Sequence, residues 1–577
     1  YPDRVAITML MTGAEDEQPR QVKYAELIKF IRRAANMFFT LGGARPGVAY
    51  MLPSLVETHI SLWAAETVGF AVPLNFLLQA EHIAELIRAS GAKILVTLGP
   101  HPQLDIWEKA LQVKQQLPEL QLVRVAAPTA EPTDKALDFY AGLMAQPDDH
   151  LIFGAAGSGD DVAAYFHTGG TTGAPKLVAH SHRNQIVAAF GGSVMLHLSE
   201  QDTLTNGFPL FHVAGTIAGS LSFFMTGAQV LILSPAGLRN PAMIQSFWKI
   251  VEKYRVTIIA AVPTAIGALV EVPLDGADLS QVRYGICGAA SMPRAVAERF
   301  EQLTGKKLHE ILGMTESAGL IAIDLASGER VAGSVGYALP YTEVNIKRLL
   351  PDGSLGESCL PNEIGVLTVT GATVSKGYLN PQQNKGVFEG GTLNSGDLAY
   401  KNEDGCIFIA GRSKDLIIRS GHNIDPAMIE NVMTSHPAVA MAAAVAQPDR
   451  YAGELPVCYV SLRPGMAVSL EELQRHAEQH IAERPAWPRH IFILDGLPLT
   501  SIGKIFKPAL RLEAARYLVK DVLANVVGLH DVVVDVVEGG SRGLRVTINL
   551  AEEQKLSADA AREAFAGFVF ETVVNES

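Results

Sequence analysis

For its first several hundred residues the chain alternates two hydrophobic periods. Stretches such as "AELIKFIRRAANMFFTLG" and "AMIQSFWKIVEKYRV" place apolar residues at helical spacing, and short apolar runs ("GVAYML", "AKILVTL", "TIIAAVP") sit between them. The helical period buries one face of a helix, and the short runs suit strands covered on both sides. The alternation therefore predicts α/β layers with largely parallel sheet. From about Val331 to Ile409 the pattern changes to short β runs ("EVNIKRL", "IGVLTVTG", "CIFIAG") punctuated by Gly, Pro and Asn, as in a small barrel-like β subdomain.

At 577 residues the chain is too long for one core. Its 48% hydrophobic and 19% charged residues suit a globular protein rather than a disordered one. A net charge of -13 argues against a nucleic-acid binder. Cys287, Cys359, Cys406 and Cys458 are far apart in sequence, so neither a zinc spacing nor a disulfide framework is visible, and a reducing, cytoplasmic setting is expected. No signal peptide is visible, although the chain opens "YPDRVAI" without methionine and residues are expected to precede it. The uncharged "VAGTIAGSLSFFMTGAQVLIL" is long enough to cross a membrane, but Gly227, Ser222 and Gln229 divide it into a buried helix and a strand, so no membrane span is expected.

"YFHTGGTTGAPKLVAHSH", Tyr165 to His182, combines glycines and threonines with Lys176 and contains no acid. Glycine-rich turns let backbone N–H groups converge on phosphate oxygens, and hydroxyls and a lysine add donors and charge. Lys176 stands three residues after Gly173 with no Ser or Thr behind it, so this is not the GxxxxGK[ST] loop. Taken alone, the stretch reads as a phosphate loop or a flexible surface turn.

"HTGGTTGAPK" resembles the phosphate loop of the adenylate-forming superfamily, which includes acyl- and aryl-CoA synthetases. Further stretches match that superfamily in order: "FPLFHVAG" (Phe208–Gly215), "GAAS" (Gly288–Ser291), "LGMTE" (Leu312–Glu316), "SGD" (Ser395–Asp397), "GRSKDLI" and "PLTSIGK". The resemblance covers roughly residues 1–510. It implies an N-terminal AMP-binding adenylation domain (1–411) and a smaller mobile α+β C-terminal domain carrying a catalytic lysine (412–510); outside it lies an α/β extension of unknown role (511–577). The extension reads as helix, strand, "GGSRG" hairpin, strand, and a helix begun by Ser557 that carries Phe565, Phe568 and Val569. A partner module, a dimer module and a packed extension are all open readings of it.

The resemblance further implies ATP, Mg2+ and CoA, joining of a carboxylic acid to AMP with release of pyrophosphate, and displacement of AMP by a thiol. Thr168, Gly169, Gly170, Thr171, Thr172, Gly173 and Lys176 would cradle phosphates, with Thr171 counted among the catalytic groups. Glu316 would hold Mg2+, a hard cation that takes few carboxylates; without the motif order, Glu316 reads as a first-turn acid after Thr315. Gly288, Ala289, Ala290, Leu312, Gly313, Met314 and Thr315 would line the nucleotide. Asp397 would accept from the ribose hydroxyls, and Arg412 would contact ribose or phosphate. Lys414 would be the hinge, and Lys504 would reach the carboxylate and α-phosphate. His212 would border or gate the acyl site.

Several positions depart from the superfamily pattern. Gly169 stands where serine is common, Leu177 where glycine is common, Leu312 where a tyrosine would stack on adenine, and Lys507 where arginine is frequent. No acid stands near His212 to pair with an amino acid's ammonium, and Gly313 stands where acetate-type members carry tryptophan. Gly215, Gly285 and Gly313 are expected to leave volume, with Val213, Ala260, Val262, Cys287, Met314 and Leu320 lining an apolar pocket beside His212. That pocket would take a medium- or long-chain fatty acid or a bulky alicyclic or aryl acid. Loading of a free carrier protein, and a nucleotide-binding protein that has lost catalysis, are the alternatives.

Overall fold

The expected layers are present in the computed structural model, which describes residues 1–577 except 127–132, 134, 155–156, 169–175, 329, 351–353, 540–542 and 577. A seven-stranded sheet runs in the order Leu137–Asp138, Gln121–Val125, Ile94–Leu98, Gly47–Met51, Phe70–Pro73, Val162–Thr168, Lys176–Ser181. It is parallel except for its last pair, which is a hairpin. A second, larger sheet carries the parallel strands Val5–Met9, Gln229–Ile232, Thr203–Asn206, Ile258–Ala261, Tyr284–Gly288 and Leu308–Leu312. The helices Tyr24–Gly42, Val56–Val68 and His182–Met195 lie against the apolar mass that joins the two sheets. Both faces of the central strands are covered, which is why they are apolar at consecutive positions.

Past Leu312 the larger sheet turns antiparallel through Ala322–Ile323 and Ser334–Ala338 into Ile407–Arg412, Thr392–Lys401, Gly365–Gly371 and Thr342–Leu349. This is the β-rich region expected from the punctuated pattern, with its own core of Val344, Leu367, Val369 and Ile407. The uncharged stretch that mimics a membrane span divides as its composition requires. A π-helix, Ala214–Leu221, is followed by Gly227 at φ 82 and the strand Gln229–Ile232. Among the described residues, no helix is long and apolar enough to cross a membrane.

The chain leaves the large sheet at Arg412 and enters a separate five-stranded sheet at Ile417–Arg419. The long hairpin Val439–Asp449 and Gly453–Leu462 forms most of that sheet. The helix Lys507–Val522 is shared. Leu510 and Ala514 pack on Val445 and Tyr459 of the five-stranded sheet, whereas Ala515 and Val519 pack into the extension.

The extension holds one more element than its sequence pattern indicates. Val533–Glu538 and Leu544–Leu550 pair as expected, and Glu571–Glu576 adds a third, parallel strand. The helix Ala558–Phe565 ends before Phe568, which is buried by the turn behind it, and Val569 faces solvent at 57% exposure. The polar "ETVVNE" owes its strand to its neighbour rather than to its own alternation.

Candidate active site

Thr168 and Lys176 face each other across a hairpin, at the mouth of the glycine-rich loop. Gly169, Gly170, Thr171, Thr172 and Gly173 lie outside the described residues. Lys176 Nζ sits 4.9 Å above the ring of Tyr378, a cation–π contact. The Tyr378 hydroxyl donates to Glu316 Oε1 at 2.6 Å, and burial together with the Glu316 charge pushes that phenol well above its ordinary range. The backbone Val178–Tyr378 bridge and the Leu379 N–H to Leu177 O bond fix this arrangement. Tyr378 thus links the loop lysine to the acid, a connection between residues about two hundred positions apart that no local pattern announces.

Glu316 lies in a one-turn 3-10 helix, Thr315–Ser317, that follows the strand Leu308–Leu312. His180 Nε2 donates to Thr315 O at 2.6 Å, and burial holds that imidazole down at about 4, so it stays neutral. Among the described residues no cluster of three or more His, Cys, Asp and Glu is placed to hold a metal. A single buried carboxylate, joined through Tyr378 to Lys176, still suits Mg2+, which binds through one or two carboxylates plus substrate phosphates. The residues therefore fit the ion.

Asp397 is 7% exposed and stands opposite Arg412 in adjacent strands, accepting from its Nε at 3.0 Å. Burial raises its pKa, and Arg412 and Lys504 oppose that shift. Lys504 comes from the other sheet's side of the molecule. Its loop closes on itself through Thr500 N–H to Lys504 O at 2.7 Å. Burial lowers the ammonium to about 8 and Arg412 adds to this, while Asp397 and Glu316 pull it back up. His212 is driven down to about 3 by burial, then by Lys504 and His167, and its Nδ1 accepts the Ala214 N–H at 3.1 Å. Glu316, Asp397, Arg412 and His212, picked from four separate motifs, thus each interact electrostatically with Lys504, picked from a fifth.

Of the residues expected to line the nucleotide, Ala289 adopts φ 74, and Gly288 lies at the end of the strand Tyr284–Gly288 with Ala290 exposed beyond it. Leu312 and Met314 are half-buried against the β-rich core, and Thr315 is buried. Lys414 sits exposed in the turn between the two sheets, where its carbonyl faces Arg511, itself paired with Asp415. Lys507 pairs with Glu430 at 2.7 Å.

The pocket expectation fails at its glycines. A Cβ on Gly313 would lie 1.9 Å from Gly319 O, one on Gly215 would lie 2.5 Å from Pro209 O, and one on Gly285 would lie 2.8 Å from a Leu308 methyl. At these glycines the space a side chain would take is filled by backbone and core side chains. The lining set also divides. Ala260 pairs with Ile286, and Ala261 pairs with Cys287. Strand alternation therefore turns Gly285 and Cys287 to the opposite face from Ala260, into the core under the helices Pro241–Lys253 and Arg294–Thr304. Val213, Ala260 and Leu320 share one core, whereas Val262 touches the lysine loop near Gly503.

The model of the AMP-binding enzyme family matches residues 1–379, and that of the AMP-binding enzyme C-terminal domain matches residues 428–504. The chain belongs to the AMP-binding enzyme family. This family member is 36% identical over 571 residues to a marinolic acid–CoA ligase of Pseudoalteromonas sp. (strain SANK 73390), covering 97% of this chain and 87% of the relative. It is 30% identical to a long-chain-fatty-acid–CoA ligase of Bacillus subtilis (strain 168), covering 88% of this chain and 91% of the relative. Its fold is that of an anthranilate CoA ligase solved with anthranoyl-AMP, at TM-score 0.79 and 22% identity, covering 90% of this chain and 95% of that one. The expected α/β fold with a separate C-terminal domain is the fold found.

Proposed function

We propose that this acyl-CoA synthetase joins a medium- or long-chain fatty acid, or a bulky alicyclic or aryl acid, to AMP and then to CoA. The observation that carries the reading is the setting of Lys504: an ammonium on a loop of the smaller sheet's side, held among Asp397, Arg412, Glu316 and His212. In the first step the acid's oxygen attacks the α-phosphorus of ATP and pyrophosphate leaves. Lys504 neutralises charge developing on the carboxylate and phosphate oxygens, where a preorganised cation gains most. Mg2+, when bound, neutralises phosphate charge; Glu316 would hold it and Tyr378 would orient Glu316. Lys176 would meet the outer phosphates and Asp397 the ribose hydroxyls. In the second step a thiolate attacks the acyl carbonyl and AMP leaves.

The substrate class rests on chemistry near His212. No acid stands near it in the sequence to pair with an ammonium, and Val213 and Leu320 are apolar residues of one core. The named relatives that act on marinolic acid and on long-chain fatty acids point the same way. A pyrophosphate-release assay across a chain-length series and a set of aryl acids, with acyl-CoA formation followed in parallel, tests the reading. Release confined to amino acids or acetate would overturn it.

A further inference from the structure

The loop that carries Lys504 is a small closed turn. Leu499 and Ile505 bridge its base, Gly503 N–H donates to Thr500 O at 3.0 Å, and Lys504 N–H donates to Thr500 Oγ1 at 3.1 Å. Its tip, Ser501 to Gly503, points into the large domain, and a separate piece of that domain takes each tip residue. Ser501 Oγ accepts from Asn75 Nδ2 at 3.0 Å. Ile502 packs on the core that contains Leu74, Phe76, Leu177 and Phe211. Gly503 O accepts from Thr264 Oγ1 at 2.7 Å.

Both partners are themselves fixed. Asn75 is 7% exposed, its N–H donates to His167 Nε2 at 3.1 Å, and its Oδ1 accepts the Leu77 N–H at 3.0 Å. His167 directly precedes Thr168, so Asn75 joins the strand leading to the phosphate loop with the tip of the lysine loop. Thr264 sits in the first turn of the helix Pro263–Leu269. Just past that helix, Glu271 receives a two-pronged ion pair from Arg463, the residue after the strand Gly453–Leu462, at 2.9 and 3.0 Å. At Gly503, φ is +80, and a Cβ there would come within 3.0 Å of a Val262 methyl. A side chain at this position would lift the tip away from Thr264.

We propose that Asn75 and Thr264 are positioning residues that seat the lysine loop for adenylation. The inference rests on the reading that Lys504 serves the first half-reaction. The ammonium needs its loop fixed to within a fraction of an ångström of the α-phosphate, because misplacement by about 1 Å is costly in rate. One apolar contact holds the tip against the large domain but does not set its rotation. Two hydrogen bonds, on either side of Ile502 and from different elements, do set it. Each donor is spent on the loop tip itself, Asn75 Nδ2 on Ser501 Oγ and Thr264 Oγ1 on Gly503 O, so each bond exists only while the Lys504 loop is docked.

The test separates the half-reactions. Thr264→Val keeps the side chain's shape and removes the donor, Thr264→Ser restores the hydroxyl, and Ser501→Ala removes the acceptor without touching buried Asn75. Single-turnover acyl-AMP formation should fall about three- to tenfold in Thr264→Val and in Ser501→Ala, the scale of one lost hydrogen bond, and should recover in Thr264→Ser. Asn75→Ala, which also loses the Leu77 N–H bond, should lose at least as much as Ser501→Ala, and the double variant should lose no more than Asn75→Ala alone. Thioester formation from supplied acyl-AMP and CoA should keep the wild-type rate in all of them, which a general loss of structure would not allow. Lys504→Ala serves as the reference. If it abolishes acyl-AMP formation while Thr264→Val and Ser501→Ala match wild type, or lose both half-reactions equally, the seating role is wrong. If Lys504→Ala itself forms acyl-AMP normally, the role of Lys504 falls and takes this inference with it.

Discussion

Lys504 shows how a single residue's environment sets a measurable pH response. Burial, reinforced by Arg412, brings its ammonium down to about 8, so the charge proposed to serve adenylation is largely present at neutral pH and is lost as pH rises through that value. The ratio kcat/KM reports ionisations of the free enzyme. With ATP varied, kcat/KM for pyrophosphate release should fall above about pH 8, and Lys504→Arg, whose charge persists past pH 12, should lack that alkaline limb even though its overall rate is lower. An unchanged limb in the arginine variant would assign it to another group. Glu316, Asp397 and Lys504 were legible because each sits in a contiguous string of several residues. Tyr378, Asn75 and Thr264 were not, because each acts through a partner far away in sequence. The glycines misled for a different reason: a missing side chain makes room equally for a ligand or for another backbone, and sequence does not separate the two. Gly313→Ala is the discriminating variant. With Gly319 O only 1.9 Å from the new Cβ, the Leu312–Glu316 segment must shift. Overpacking of this kind costs about 1–3 kcal/mol. Melting temperature and adenylation should both drop, by the same factor for short and long acids; a loss confined to long acids would restore Gly313 to the pocket wall.

At the scale of elements, periodicity identified the strands and helices around the site. It could not reveal which polar groups those helices bury. The helix Val56–Val68 is almost wholly enclosed and carries both His59 and Glu66. Burial holds His59 down at about 3, with neither ring nitrogen bonded, and pushes Glu66 up to about 8 against the opposing Gln185 hydrogen bond. The two groups act on stability in opposite directions. Unfolded glutamate ionises near pH 4.5 while folded Glu66 keeps its proton to about 8, so its contribution is full below 4.5 and is lost as pH rises between those values. Unfolded histidine protonates below about 6.5 while His59 does not, so the His59 contribution is lost as pH falls from 6.5 toward 3. Glu66→Gln keeps a neutral group that still accepts from Gln185. Thermal midpoints measured from pH 4.5 to 8 should show little change at the acid end and a rising advantage of the variant toward pH 8. A variant less stable than wild type at pH 8 would mean that Glu66 is ionised in the fold.

Across the whole molecule, composition changes along the chain mark the β-rich region, but not that Val5–Met9 joins the larger sheet ahead of the seven-stranded one or that the β-rich strands continue that larger sheet. What composition could not reveal is that the two sheet systems meet around Lys504. The backbone passes from the large sheet to the five-stranded one through the turn after Arg412, with Lys414 exposed at its centre. Around it, the contacts made by the smaller side are separable: the Thr264 and Asn75 hydrogen bonds, the Ile502 packing and the Arg463–Glu271 pair. Contacts of that size can break together when one rigid piece turns on the other, and a hinge needs only a few residues to absorb the change in φ and ψ. Proline at Lys414 fixes φ near -65° and keeps Ser413 out of the helical region, so the turn loses its range at two consecutive residues. Because Lys504 is already docked, Lys414→Pro should form acyl-AMP at close to the wild-type rate. The same variant should be slowed at least about tenfold in making acyl-CoA from bound acyl-AMP, since that step requires the lysine side to turn away. Rapid-quench measurement of each half-reaction, with Lys414→Ala as the control that removes the side chain but leaves the backbone free, decides the point. If alanine slows the second step as much as proline does, the lysine side chain carries the effect and the turn is not the pivot.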